Sequence, residues 1–146
     1  MRLIIYKQVD SLRVPRARLT RLFEAAVKRH GRKSWRAGVN LVFTTDKQMH
    51  ELNREYRGKD AVTDVLSFNL DEPESSENTF GEVYISVATA RRQAKRFGES
   101  LTEELLRLTA HGLLHLMGYT HDTATKEKRM MSLQEELLQT AKGSSK

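Results

Sequence analysis

The stretch HGLLHLMGYTHD, residues 111–122, constrains this chain more than any other. His111 and His115 are four apart in an apolar run, so on a helix they share one face, about 6 Å apart along the axis. Gly118 then ends the helix, because glycine takes the positive φ that other residues avoid. The chain turns back there, and His121 can reach the same point from the side. Three imidazoles so arranged hold one side of an ion and leave a fourth position open, the pattern of a catalytic zinc site. The chain has no cysteine. That excludes disulfide, thiolate and iron–sulfur chemistry and leaves any metal to histidine and carboxylate. Zinc is the first expectation from imidazole donors, and nickel, copper or iron suit the same geometry. The remaining histidines, His30 and His50, read as helix-surface residues.

The spacing equals that of the metzincin peptidase signature, H-E-x-x-H-x-x-G-x-x-H, with one departure. Gly112 stands where those enzymes carry the glutamate that serves as general base. Glycine has no side chain to move a proton, so a peptidase of that mechanism is disfavoured. A divalent ion pulls the pKa of its water down toward about 7 without a dedicated base. It also stabilises charge on a phosphoryl oxygen, so phosphodiester hydrolysis suits the motif.

A length of 146 residues fits one domain and supplies a core that needs no covalent staple. Residues 2–9 read as a strand, and Pro15 opens a helix whose apolar positions are Leu19, Leu22, Phe23, Ala26 and Val27. Val39–Phe43 is a second strand, and Thr45 with Gln48 forms a capping box for a helix carrying Met49, Leu52 and Tyr56. Thr63–Phe68 and the alternating Val83, Ile85 and Val87 predict two more strands, with the acidic DEPESSENT as a surface loop between them. Helices follow with Val87, Ala90, Ala94 and Phe97 inward, then from Ser100 to Gly118, then from about Thr125 to Thr140. Met130 and Met131 read as core of that last helix. Four strands with about five helices describe a small α+β or α/β layer fold. No apolar run approaches the roughly 18 residues of a spanning helix, and the N-terminus is too short and charged for a signal peptide.

Charge is uneven along the chain. Residues 1–38 carry 11 Lys and Arg against two acids, whereas residues 39–86 carry four against ten. A basic first segment in a chain of pI ≈ 9.7 points to a polyanion, for which nucleic acid is the default partner. The bland alternative is a solvated helix face.

HGLLHLMGYTHD resembles the H-G-x-L-H-L-x-G-Y-x-H-D signature of the YbeY family of bacterial ribosomal-RNA maturation factors. LNREYRGKDAVTDVLSF, residues 52–68, is similar to that family's L-N-x-x-Y-R-x-x-D-x-P-T-D-V-L-S-F, with Val62 in place of proline. GEVYIS, residues 81–86, resembles its G-D-I-x-I-S strand, with Glu82 in place of aspartate. The three segments come in family order and span essentially the whole chain as one domain, 1–146. The resemblance implies an α+β fold, a four-stranded mixed sheet with five or six helices. It implies a cytoplasmic, single-strand-specific, metal-dependent endoribonuclease, acting in 3′-end maturation of small-subunit ribosomal RNA and in ribosome quality control. Its partners would be single-stranded RNA, ribosomal RNA and the small ribosomal subunit, with no membrane. By the same carry-over, His111, His115 and His121 match the zinc ligands and Arg57 the cleft arginine that meets RNA phosphate. Read from its surroundings alone, Arg57 is a basic residue complementing the end of a helix that Gly58 breaks. Asp122 and Asp64 are candidates to orient a ligand imidazole; alternatively Asp122 caps the next segment and Asp64 pairs with a basic residue. Ser67 and Tyr119 read as structural. Two alternatives stand beside the nuclease: a non-catalytic RNA-binding assembly factor pinned by zinc, and a metal hydrolase of another substrate class.

Overall fold

Alternating apolar residues build four strands in the computed structural model, which describes residues 2–31, 38–70 and 79–142. They are β1 (Leu3–Lys7), β2 (Gly38–Thr44), β3 (Val65–Asn69) and β4 (Thr79–Ser86). Five helices accompany them: α1 (Arg16–His30), α2 (Asp46–Arg57), α3 (Val87–Phe97), α4 (Leu101–Leu116) and α5 (Ala124–Ala141). The sheet order is β1-β2-β4-β3, with β1, β2 and β4 parallel and β3 antiparallel to β4. Parallel neighbours need a long crossover. Helix α1 supplies it between β1 and β2, and α2 with β3 lies between β2 and β4 in the chain. This is the expected α+β architecture with a mixed sheet and five helices.

The strand registers align Ile5, Leu41, Val83 and Ser67 in one row across the sheet. Val39, Leu41, Phe43, Val83 and Ile85 from that face join the core with Leu19, Leu22 and Phe23 of α1 and the leucines of α4. Helix α4 is the centrepiece, buried between the sheet and α1, α3 and α5. Two glycines let it lie close on β3 and β4. A Cβ at Gly112 would stand 2.6 Å from Val83 Cγ1 and 3.1 Å from Ser67 Oγ, and one at Gly81 would meet the Leu116 methyls at 2.9 Å. The Ser67 hydroxyl also donates to the Gly112 carbonyl at 3.0 Å, tying β3 to the helix.

Hydroxyl caps set the helix starts. Thr45, Ser86, Ser100 and Thr123 each accept from the backbone N–H three residues on. Val87 fits both the strand alternation and the inward face of the next helix, and the cap at Ser86 makes it the first residue of α3. The third strand likewise starts at Val65, not Thr63. Phe97, expected inward, is 63% exposed, and Met131 is 61% exposed while Met130 is buried. A one-residue step turns a helical side chain by about 100°, and α5 buries only the narrow stripe of Met130, Gln134, Leu137 and Ala141, which leaves Met131 outside it. The acidic segment expected to be a loop falls mostly at residues 71–78, outside the described residues. Part of the basic charge of α1 is paired within the molecule while Arg21 and Arg29 stay exposed: Arg18 pairs with Glu103 at 2.8 Å, Arg29 with Glu136 at 3.7 Å, and Arg21 donates to the Ala141 carbonyl.

Candidate metal centre

The leucines of α4 fix which residues of that helix can reach solvent. From Glu104 to Leu116 only Arg107, His111 and His115 escape burial, at successive spacings of four. The two histidines therefore stand on one stripe, with ring centroids 4.7 Å apart. Helix α4 ends at Leu116, and Gly118 at φ 97 reverses the chain. That turn brings the His121 ring to 5.4 Å from His111 and 5.1 Å from His115. One nitrogen from each ring lies within 4.8 Å of the others. The three histidines singled out by spacing thus converge, and His30 and His50 do not join them. His30 meets the Tyr119 hydroxyl at 3.1 Å, and His50 pairs with Asp60 at 2.6 Å.

Electrostatics favours neutral rings at His111 and His115. Burial, the neighbouring imidazoles and Arg57 depress His115 to about 4. Burial likewise lowers His111, against a raising hydrogen bond from Gln134 and with His121 acting in the same direction as burial. A neutral imidazole keeps the lone pair a metal needs. His111 Nδ1 lies 3.0 Å from Gln134 Oε1. With its proton on Nδ1, the ring donates to Gln134 and leaves Nε2 free for an ion. Three imidazole nitrogen donors, two anchored on one helix and one held by a tight turn, fit a borderline divalent ion such as zinc. Gly112, in the position of the metzincin base, faces the sheet, not the rings, and has no room for a carboxylate.

The rings open into a cleft of about 610 Å³, also lined by Arg57, Lys59, Asp64, Arg107 and Gln134. Arg57 closes α2, where Gly58 takes φ 69. It donates to the Ser67 carbonyl at 2.6 Å and lies 5.3 Å over the Phe68 ring. A residue whose local setting suggested only helix-end complementarity is thus fixed on the wall facing the histidines. Asp64 also lines the cleft, but it accepts from the Val65 N–H at 2.8 Å and from the Gln93 amide at 3.2 Å, not from a ring. Asp122 is exposed, accepting from Thr120 and pairing with Lys126. The residue that meets a ring is Gln134, from α5. Sequence gave no sign of it, because 23 residues separate it from His111. Met130 and Met131 both edge the cleft floor.

The profile of a family described as Endoribonuclease YbeY matches residues 4–142. The chain is 42% identical over 135 residues to an Endoribonuclease YbeY of Brevibacillus brevis, covering 83% of each. It is 39% identical over 150 residues to one from Bacillus licheniformis, covering 94% of each. The solution structure of a Thermotoga maritima protein is similar at a TM-score of 0.65 and 28% identity, over 97% of this chain and 89% of that one.

Proposed function

The chain belongs to the Endoribonuclease YbeY family, and on that premise we propose that it is a metal-dependent endoribonuclease acting on single-stranded RNA. The observation that carries this reading is the convergence of three imidazoles beside a fixed arginine in an open cleft. His111, His115 and His121 would hold the ion, zinc first and nickel as an alternative. When bound, a divalent ion there supplies Lewis acidity toward a phosphoryl oxygen and acidifies water. Gln134 orients His111. Arg57 grips the scissile phosphate: the Ser67 carbonyl takes one of its five N–H donors and leaves a planar fork that matches phosphate oxygens. The physiological substrate in this proposal is the 3′ end of small-subunit ribosomal RNA, handled in the cytoplasm with the small subunit as partner and ribosome quality control as the setting. Among the described residues no helix is long and apolar enough to cross a membrane.

The test is cleavage of a labelled single-stranded RNA by metal-loaded protein, beside peptide and ester substrates. Wild type should cut RNA alone, and His115→Ala, still folded by circular dichroism, should bind no stoichiometric metal and cut nothing. Product ends report the nucleophile. A 2′,3′-cyclic phosphate means attack by the ribose 2′ oxygen, and a 5′-phosphate with a free 3′-hydroxyl means attack by water. Folded, metal-loaded protein that leaves RNA intact would overturn the proposal.

A further inference from the structure

We propose that Arg107 is a second phosphate-binding residue of the cleft, holding the RNA backbone at a phosphate other than the one Arg57 grips. This rests on reading the substrate as RNA. Three observations carry it. Arg107 is the third member of the only stripe of α4 that reaches solvent beyond the first turn, one helical turn before His111, and it lines the same cleft. Its guanidinium is fixed from behind. Nε donates to Glu104 Oε1 at 2.9 Å and Nη2 donates to Glu104 Oε2, while the Glu104 side chain is only 2% exposed. That pair occupies two of five N–H donors. The arginine side chain remains 39% exposed and lines the cleft, and among the described residues its other donors have no protein acceptor.

A buried ion pair adds little net stability compared with apolar residues of the same shape. Glu104 and Arg107 are therefore poorly explained as mere packing. They make sense as a carboxylate that orients a guanidinium for an external anion. Asp64, the acidic residue nearest this arginine on the cleft wall, has its oxygens engaged by the Val65 N–H and the Gln93 amide. Arg107 stands one turn before His111 on α4, and Arg57 closes α2 on the same cleft. The two cations thus serve one cleft from two helices, and a single strand could be held at one phosphate by each.

The experiment measures kcat and KM for a short single-stranded RNA across a series of KCl concentrations, with metal-loaded protein. Removing Arg107 alone would strand a buried carboxylate, so the variants are Glu104→Gln with Arg107→Gln, and the volume-conserving Glu104→Leu with Arg107→Met. We expect KM to rise about tenfold, as for one lost charged hydrogen-bond contact. The slope of log KM against log salt should flatten by about 0.7, one phosphate's worth on a single strand. Metal content and kcat should stay near wild type, and Arg107→Lys should recover the slope. Unchanged KM and slope in either folded double variant would reduce the pair to a structural role and leave the nuclease reading standing. Wild type that neither cuts RNA nor shows a salt-dependent KM would take down both.

Discussion

At the scale of single residues, the site depends on a side chain that touches no substrate. Gln134 fixes the His111 ring and, with it, which nitrogen faces the ion. Groups that orient a ligating imidazole typically contribute 10- to 100-fold in metal affinity. Gln134→Leu keeps the volume and apolar packing but removes the acceptor. Its zinc dissociation constant, measured by competition with a chromogenic chelator, should rise by about that factor while thermal stability of the metal-free protein stays close to wild type. An unchanged constant would mean the ring is held by packing alone. The same scale holds two errors of sequence reading. Asp122 lies next to His121 in the chain yet points to Thr120 and Lys126, and Met131 follows a core methionine yet faces out. Adjacency in sequence says little about which way a side chain points.

Among the elements, α4 does most to create the site. Its leucines seal three sides, so only the stripe of Arg107, His111 and His115 is left to the cleft. The helix can lie this close to the sheet because residue 112 has no side chain. In Gly112→Ala the new Cβ would fall 2.6 Å from a methyl of Val83, a buried, β-branched residue in the interior strand β4 that cannot step aside. Alanine favours helix over glycine by about 1 kcal/mol, but overpacking costs about 1–3 kcal/mol. The urea midpoint should therefore fall, by an amount equivalent to at most about 2 kcal/mol. The displaced helix should also weaken metal binding, since His111 and His115 ride on it. A variant more stable than wild type would show that the sheet yields easily. The glycine that sequence reading interpreted only as a missing base thus has a packing reason of its own.

Over the whole molecule, the core and the metal centre are separable. The buried cluster runs from Leu12 through the sheet to Ala141, and none of its members is a candidate ligand. Chelation should therefore abolish RNA cleavage while leaving the far-ultraviolet spectrum intact. The melting temperature should drop only by what a bound ligand adds, about 3–4 kcal/mol at a hundred to a thousand times the dissociation constant. If chelation at 25 °C unfolds the protein, the ion is a structural pin, and the assembly-factor alternative gains what the nuclease loses.

Local patterns determined a good deal. The starts of α2 and α4 were legible because the hydroxyl caps at Thr45 and Ser100 act within four residues. The convergence of His111, His115 and His121 was legible because helical periodicity and a turn-forming glycine are both short-range geometry. The mixed sheet and the place of Arg57 followed from resemblance, not from local physics. Tertiary structure alone decided the β1-β2-β4-β3 order, the Gln134 contact across the α4–α5 interface and the partners that Arg18, Arg21 and Arg29 find on α4 and α5. Each of these joins residues far apart in the chain, and such pairings are selected by burial and charge in the assembled core, quantities that no window of sequence contains.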